Sequence, residues 1–518
     1  MKYSKLTPSD IKWITKLYAS KEPRKVIQKS IAQKFGVKRR AVRDWAKKLE
    51  LVNKPSTDFV VAQTKVLERK KYYIVSWGQN STPVHMGFLR NMEAYAASIN
   101  AEISVIAGRY RNPTSIFPDS DLQVWDKPIL PYLDANRQII HPHMELLSDI
   151  KIHPTARMPL SSFEGISSGR SCVIGHPRVH QKVVPALNGY KPKMMLTTGA
   201  CTVRNYTDSK AGKIGEFHHT LGFVIIEIDG DDFYVRQVTA DEHTGAFTDL
   251  NKHVSNGKVK KAKQAEAIVF GDIHVGDHDP ECISATLDIC EILKPKVGVL
   301  HDLLNGHSVN RHEQKNPFSR FSKLQSNDHT LKGEIDNVVE FTKTLSEETV
   351  DYIEEFVVVN SNHDAWIESY LVNSDWKKDI PNALEYMKYS TMMLKGETPK
   401  GVFAAIIDDT EIYNVVKTLA LDESYRVAEW ELGVHGHEGT NGSRGNPNQF
   451  KKLSTKMVTG HTHSPSRIDG VVTVGTSTYL RVGYNTGASG WLQSHAILNA
   501  DGKVQQIHCI NYKFTTLL

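Results

Sequence analysis

Five short segments in the second half of this 518-residue chain each end an apolar run with side chains that commonly ligate metal ions. The polar residues are Asp272, His274, Asp302, Asn362, His363, Asp364, His435, His461 and His463. Each segment follows residues that favour a β-strand, over 267–270, 297–300, 356–359, 432–434 and 457–458. Residues that directly follow strands lie at the carboxyl edge of a sheet, where α/β folds gather their sites. We therefore expect the five segments to meet in one site.

The spacing within these segments favours a centre of two divalent metal ions. Asp272 and His274 are two residues apart, as are His461 and His463. In an extended chain, both members of such a pair point to the same side and can ligate one ion or two adjacent ions. Asp302 stands alone after its strand, so it is suited to bridge the two ions.

Asn362 offers a neutral amide oxygen, and His435 completes the ligand set with His437 as its neighbouring competitor. A mixture of oxygen and nitrogen ligands admits several divalent ions. We expect two ions of Mn²⁺, with Mg²⁺, Fe²⁺ and Zn²⁺ as alternatives.

The ordered series D-x-H, D, N-H-D, H and G-H-x-H resembles the calcineurin-like metallophosphoesterases over residues 264–518, about half of the chain. The resemblance implies an α/β (α+β) domain of four αββα layers, with two metals at the strand ends. It also implies one metal held by Asp272, His274, Asp302 and His463, and a second held by Asp302, Asn362, His435 and His461. His363 would lie beside the scissile phosphate as an acid or transition-state donor, with Asp364 orienting it. A bridging water, its pKa lowered by two cations, would attack phosphorus in line.

Two positions depart from the family pattern. The family usually has glycine where this chain has His301 before Asp302, and where it has Ser361 before Asn362. Neither glycine is a ligand, so we expect the metals to be retained. Further along, family phosphatases often carry a glycine-rich loop with an arginine. Here His307, Arg311 and His312 are candidate phosphate contacts, although surface positions without a role explain them equally well.

The amino terminus is a separate, basic unit. Residues 1–54 hold sixteen Lys or Arg against four acidic residues, so with a net charge of +6 the rest of the chain carries a net −6. A basic head on an acidic body suggests contact with phosphate; the alternative is a solvated basic tail.

Residues 1–54 also have the pattern of a helix-turn-helix. Thr7-Pro8-Ser9-Asp10 is a favourable helix start, a second helical segment stops at Gly36, and a third helix follows. The third segment resembles a recognition helix with a basic outer face. Its candidate DNA-binding residues are Lys38, Arg39, Arg40, Arg43 and Lys47. A small helical bundle that contacts protein is the alternative.

The sequence of residues 70–255 predicts a mixed α/β domain, whose role is unknown. A strand over 72–77, a helix over 84–99, a strand over 102–107 and a hairpin over 223–238 are expected. Its histidines match no recognisable site, and we interpret most of them as structural. A surface for nucleic acid or for a second copy of the chain is the alternative. The histidines concerned are His141, His143, His176, His180, His218 and His219. The basic run 258–263 is expected to be a solvated linker.

From these features we expect a two-metal phosphodiesterase that cleaves DNA as an exonuclease or endonuclease. The arrangement resembles the nuclease branch of the family (the Mre11 and SbcD type), and the fusion to a helix-turn-helix resembles phage proteins that degrade host DNA. The alternatives are a phosphatase or nucleotide phosphodiesterase with a DNA-binding regulatory head, and a non-enzymatic DNA-binding protein with a structural metal site.

The partners and compartment follow from composition. The sequence has no uncharged apolar run of the roughly 18 residues that a spanning helix needs, so no membrane association is expected. Five scattered cysteines without a C-x-x-C pair favour a reducing cytoplasm, that of the host if the protein is phage-encoded. The expected partner is DNA, and a homo-oligomer remains open.

Overall fold

A computed structural model of the protein describes residues 3–20, 24–49, 59–61, 67–109, 124–190, 192–310, 316–326, 330–483 and 485–518. The α-helices of these residues are α1 Pro8–Tyr18, α2 Arg24–Phe35, α3 Arg39–Lys48, α4 Met86–Ile99, α5 Lys210–His218, α6 Pro280–Leu293, α7 Pro317–Ser326, α8 Leu331–Thr349, α9 Ala365–Asn373, α10 Ala383–Lys395, α11 Val402–Asp408 and α12 Pro447–Phe450. The fold is mixed α and β, as the sequence predicts. None of the described helices is both long enough and apolar enough to cross a bilayer.

The strands before residue 264 are β1 Phe59–Val61, β2 Tyr72–Gln79, β3 Glu102–Gly108, β4 Val124–Asp126, β5 Leu133–Asp134, β6 Arg137–His141, β7 Met144–Leu147, β8 Ser171–Ile174, β9 His180–Val184, β10 Lys193–Thr197, β11 Gly222–Asp229, β12 Asp232–Thr239, β13 Phe247–Asp249, β14 Lys252–Ser255 and β15 Lys258–Lys261. Those after it are β16 Ala267–Val269, β17 Val297–Leu300, β18 Glu355–Val358, β19 Val416–Thr418, β20 Arg426–Val427, β21 Trp430–Glu431, β22 Lys456–Thr459, β23 Ser466–Ile468, β24 Val471–Thr473, β25 Ser494–Leu498 and β26 Val504–His508.

The first three helices form a small bundle at the amino terminus. Thr7 caps α1, accepting from the Asp10 amide while the Asp10 carboxylate accepts from the Thr7 amide, so this start is as predicted. The bundle core joins Ile14, Ile31 and Trp45 from the three helices. Gly36, at φ +60°, turns the chain between α2 and α3.

Two sheets share the second half of the chain. Strands β16, β17, β18 and β19 pair in parallel, and β25 and β26 complete a six-stranded sheet on the other side of β16. A ten-stranded sheet has the order β20-β21-β22-β24-β23-β9-β10-β8-β7-β6. The pairing of β23 with β9 therefore joins strands from before and after residue 264 in one sheet.

The two sheets pack face to face, with helices outside. Val299 and Val357 of the six-stranded sheet share a buried apolar cluster with Val458 and Val472 of the ten-stranded sheet. On the opposite face of the six-stranded sheet, helices α6, α8, α9, α10 and α11 contribute to the largest core. The parallel strands are buried on both faces, which explains why they read as continuous apolar runs.

Before residue 264, the expected strands, helix and hairpin form. Strands β2, β3, β5, β11 and β12 make a five-stranded sheet against which α4 packs, and Gly230 turns the β11–β12 hairpin at φ +63°. The run 258–263 differs from the expected linker, because 258–261 form β15 and pair with β14. Val259 packs against the core there while the lysines on either side stay exposed.

One predicted strand of the ligand series is also displaced. Residues 432–434 are irregular, and the strand is the two-residue β21 just before them. The Glu431 carboxylate accepts from the Gly433 and Tyr425 amides at 2.8 and 2.9 Å. These amides therefore bond to a side chain and not to a neighbouring strand. The β-strand pairing ends before the chain reaches His435.

A buried ion network fastens the carboxyl end of the chain to β11 and β12. Arg236 donates to Glu227 and, at 2.6 and 2.7 Å, to Asp249. Gln505 also donates to Asp249, and the Thr516 amide donates to Glu227. All the charges of this network lie inside the protein, where a lost partner is not replaced by water.

We therefore expect Arg236→Ala to lower the free energy of unfolding by about 3–5 kcal/mol, because it leaves two buried carboxylates without a cation. Urea denaturation followed by circular dichroism measures the change. Arg137→Ala is the matched control, since Arg137 pairs with Asp149 at the surface and the expected change is below about 1 kcal/mol. Equal losses for both variants would contradict this role of the network.

Candidate metal centre

The parallel pairing of β16 and β17 continues past the strand ends and aligns the first two ligand segments. The amides of Phe270, Ile273 and His274 donate to the carbonyls of Val299, His301 and Asp302 at 2.9, 3.0 and 2.7 Å. This ladder sets the polar residues that follow one strand beside those that follow the next. These backbone hydrogen bonds bring the two segments together at the strand ends, as the sequence predicts.

Four of the predicted ligands have left-handed backbone conformations that non-glycine residues rarely adopt. They are His274, Asp302, His461 and His463, with φ between +45° and +74°. Each such residue raises the conformational free energy by about 1–3 kcal/mol unless the surroundings enforce it. Strain of this kind concentrates at functional sites, and here it turns each side chain out of the strand direction toward a common centre.

The first ligand group contains Asp272, His274, Asp302 and His463, whose candidate ligand atoms all lie within 4.8 Å of one another. His463 Nε2 is 3.1 Å from Asp272 Oδ2 and 3.1 Å from His274 Nε2. His274 Nε2 is 3.5 Å from Asp302 Oδ2. All four side chains are buried.

The second group contains Asp302, His435 and His461, again within 4.8 Å. His435 Nε2 is 3.1 Å from Asp302 Oδ2, the same carboxylate that belongs to the first group. The Asn362 amide oxygen lies 3.2 Å from His435 Nε2 and 2.9 Å from His461 Nδ1. The structure thus brings all seven predicted ligands together, with Asp302 between the two groups.

The donor atoms of this cluster suit metal ions. Asp272 Oδ1 and Asp302 Oδ1 are buried and have no hydrogen-bond partner among the described residues. Buried carboxylate oxygens normally have a partner, because an unpaired charge in the interior is strongly destabilising. Opposed nitrogens such as those of His274 and His463 also suit a cation that accepts both lone pairs.

In this cluster, burial and the neighbouring charges shift the pKa values in opposite directions. Burial favours the neutral forms of Asp272 and Asp302, but the surrounding imidazoles outweigh it, and the pKa of each carboxyl lies below its ordinary value. Burial likewise lowers the pKa of His435, yet the Asp302 and Asp272 carboxylates raise it overall, to about 9. Burial lowers the pKa of His461 to about 4. His435 is therefore the imidazole in this group that holds a proton at neutral pH.

His363 lies beside the first group without belonging to it. Its ring is 4.4 Å from the ring of His274, and its Nδ1 is 2.7 Å from the Asn305 carbonyl. The Trp366 ring stacks on it at 3.9 Å. Because Nδ1 donates to this carbonyl, Nε2 is the ring nitrogen that is not used in that bond.

Asp364 differs from the expectation that it orients His363. Its Oδ2 accepts from the Ser361 amide at 2.9 Å, and Asn305 and Trp366 hold the histidine instead. Burial, with Asp302 nearby, raises the pKa of Asp364 well above its usual range. Through its bonds with Ser361, Asp364 fixes the turn that carries Asn362 and His363.

The other predicted contacts are less central. His307 Nε2 lies 3.0 Å from Asp277 Oδ2, so this ring is paired with a carboxylate. Arg311 and His312 lie outside the described residues. Lys38, Arg39, Arg40 and Arg43 are exposed along the start of α3, and the Lys47 side chain is outside the described part of the chain.

Two residues that support the site were not expected from the sequence. Trp491 packs its ring 4.1 Å from that of His463, and Trp366 packs on His363. Trp366 follows His363 by three residues and lies in the first turn of α9. Because residues three apart on a helix are neighbours, this spacing could have predicted the contact. Trp491 is far from every ligand in sequence, and only the fold brings it there.

Comparison with known proteins places the chain in a phage family. It is 32% identical over 484 residues to Protein A1 of Escherichia phage T5, and the match covers 88% of this chain and 84% of that protein. The chain belongs to the Protein A1 family. Since residues 264–518 are about half of the chain, the relationship includes residues outside the metal centre. Neither a protein-family model nor a solved structure matches the chain.

We expect Asp302→Asn to abolish binding of both metals in this member of the Protein A1 family, because one carboxylate serves both ligand groups. Asp272→Asn should impair only the first group and leave about one ion per chain. Metal content after dialysis against Mn²⁺ is measured by mass spectrometry. Full metal content in Asp302→Asn would contradict the shared position of this residue.

Metal affinity should rise with pH. Below about pH 9, His435 carries a proton that an incoming cation must displace, so binding releases one proton and the affinity increases about tenfold per pH unit. Calorimetry of Mn²⁺ binding between about pH 6 and 8, in buffers of different ionisation enthalpy, measures both the slope and the proton count. An affinity independent of pH would show that His435 is already neutral.

Proposed function

We propose that the protein is a two-metal phosphodiesterase that cleaves DNA. The observation that carries the proposal is the pair of ligand groups joined by Asp302, with the non-ligating His363 directly beside them. A purely structural metal site has no use for such a histidine. When bound, two divalent cations would neutralise phosphoryl oxygens and lower the pKa of a water.

The protein's own residues position the substrate and handle protons. Asn305 accepts from His363 Nδ1 and Trp366 packs on its ring, so Nε2 has a fixed direction. Burial lowers the pKa of His363 in the metal-free protein, and a bound phosphodiester would favour the protonated ring through its negative charge. In that form Nε2 donates to a phosphate oxygen or to the leaving oxygen.

The layer arrangement supports assignment to the calcineurin-like metallophosphoesterases. Two sheets pack face to face and helices cover the outer face of the six-stranded sheet, while α12 packs on the outer side of β22 and β24. We infer that residues 264–518 form an αββα sandwich of this kind, of the nuclease branch.

DNA is favoured as the substrate by two exposed surfaces. The first is the basic start of α3, formed by Arg39, Arg40 and Arg43. The second is α7, whose Phe318 and Phe321 are 82% and 61% exposed. Lys323 of α7 donates to the His307 carbonyl, which ties this helix to the loop that follows Asp302. Exposed aromatic rings beside a phosphoesterase site are suited to stack on unpaired bases.

The decisive experiment incubates the protein with Mn²⁺ and end-labelled single- and double-stranded DNA, and in parallel with a small aryl phosphodiester. We expect cleavage of DNA that EDTA abolishes. His363→Ala should retain its metal content and lose about 10²–10⁴-fold in rate, because it removes proton transfer without removing a ligand.

Asp302→Asn is the metal-free control for this assay. Hydrolysis of the small ester with intact DNA would replace the nuclease with a phosphatase or nucleotide phosphodiesterase. Inactivity toward both substrates in the metal-loaded protein would support a structural metal site in a DNA-binding protein.

The role of the amino-terminal helices is tested by Arg39→Gln, Arg40→Gln and Arg43→Gln together. We expect weaker duplex binding and a salt dependence whose slope falls by about 0.9 for each DNA phosphate that is no longer neutralised, with small-ester hydrolysis unchanged. Fluorescence anisotropy at several salt concentrations measures the slope. Lys12→Gln, Lys16→Gln and Lys29→Gln remove the same charge from α1 and α2. An equal effect of this control set would indicate nonspecific attraction by a basic domain.

A further inference from the structure

A cavity with charged residues in its lining lies at the opposite end of β22 from the metal centre. Its volume is about 980 Å³, and its lining includes Lys456 at the start of β22 and the Asp469–Gly470 turn between β23 and β24. His461 follows the other end of the same strand. Residues from before and after 264 both line the cavity, so it is built where the two halves of the ten-stranded sheet meet.

Besides Lys503, the rim of this cavity carries three cations that are paired with carboxylates. Lys456 pairs with Glu429 at 2.9 Å, and Lys213 pairs with Glu216 at 2.7 Å. Arg204 pairs with Glu242. These cations already have counter-charges, so the ligand preference of the cavity depends on its floor.

The floor has more positive than negative charge. Its one carboxylate, Asp469, lies 3.5 Å from Lys451 Nζ and 3.4 Å from Arg178 Nη1, and it accepts from His180 Nε2 at 3.0 Å. Arg467 adds a third permanent cation close by. Burial raises the pKa of Asp469, but His180, His218 and Arg178 outweigh it, so the carboxyl stays ionised. Three cations therefore share one negative charge.

Several donors of these cations are buried and have no acceptor in the described part of the chain. Arg467 is 6% exposed, lines the cavity, and its Nε has no hydrogen-bond acceptor among the described residues. Arg178 Nε and Nη2, behind Asp469, lack acceptors as well. Burial lowers the pKa of Arg467 to about 10, so it remains charged at neutral pH. Unpaired buried guanidinium donors are strongly unfavourable unless an anion supplies the missing charge.

We propose that this cavity is a second binding site, distinct from the metal centre, for the phosphate group of a nucleotide. Arg467 and Lys451 would hold the phosphate oxygens, since guanidinium and ammonium groups are the usual partners of phosphate. The volume accommodates a mononucleotide. Phe217 lines the cavity, is 81% exposed and packs edge-on against His218 at 4.9 Å, which makes it the surface on which a base would stack.

The site is tested by calorimetric titration of the full-length protein in EDTA, with inorganic phosphate, 2′-deoxyadenosine 5′-monophosphate and unphosphorylated deoxyadenosine as separate probes. We expect the monophosphate to bind, phosphate to compete with it, and deoxyadenosine not to bind. Lys451→Gln should weaken binding at least about tenfold, and Arg467→Gln at least as much. Asp302→Asn should leave the affinity unchanged, since the proposal is independent of the metal centre.

Lys452→Gln is the matched control, because Lys452 is the exposed neighbour of Lys451 and does not line the cavity. Melting temperatures measured without ligand verify that each variant is folded. If Arg467→Gln does not fold, Lys451→Gln still tests the site. Binding of a short single strand without binding of the monophosphate would assign the same site to a backbone phosphate. The proposal is overturned if no phosphate-bearing probe binds at about 10 mM, or if Lys451→Gln binds as tightly as Lys452→Gln.

Discussion

The constraint on which the second half of the fold depends is the placement of two buried, ionised carboxylates next to each other. Asp272 and Asp302 both lie in the first ligand group, and the His435 imidazole, with its pKa raised to about 9, places one positive charge beside them at neutral pH. Without cations such a cluster would be strongly destabilising. It persists because the continued β16–β17 ladder fixes the backbone, and because left-handed residues aim the side chains inward.

The two packed sheets contribute to this cluster from different sides. Asp272, Asp302 and Asn362 follow strands of the six-stranded sheet, whereas His435 and His461 come from the region of β21 and β22 in the ten-stranded sheet. Carboxylate and amide oxygens thus come from one layer, and the imidazoles of the second group come from the other. The apolar contacts between the layers therefore set the distances among the candidate ligands as directly as any polar interaction does. Because His463 of the first group also follows β22, each group contains residues from both sheets, and a shift between the sheets would open both.

The grouping of the candidate ligands could be predicted from the sequence because most of them come shortly after a buried strand, and parallel strands buried on both faces read as apolar runs. The strand predicted over 432–434 is not formed. The Gly433 amide donates to the Glu431 side chain there, and the strand ends at Glu431. The role of Asp364 in orienting His363 was implied by the family resemblance alone, and no sequence pattern shows that its carboxylate accepts from the Ser361 amide. The pairing of β9 with β23 was not predictable, since nothing local in residues 180–184 indicates a partner almost 290 residues away. For the same reason, the contact of Asp469 with Arg178 and His180 could not be predicted from the sequence.

The ten-stranded sheet separates two polar clusters of opposite charge along one four-residue strand. Beyond the end of β22, His461 joins carboxylates that need cations. At its start, the cavity beside Lys456 has cations in excess of carboxylates. Were the two clusters adjacent, the arginines and lysines would pair with Asp272 and Asp302 and both sites would lose their ligands. The intervening strand and its apolar neighbours Val458 and Val472 keep the charges apart, and a low-dielectric layer between them preserves each site's preference. The joined sheet therefore keeps the candidate metal centre and the proposed phosphate cavity apart, so that their charges do not neutralise each other.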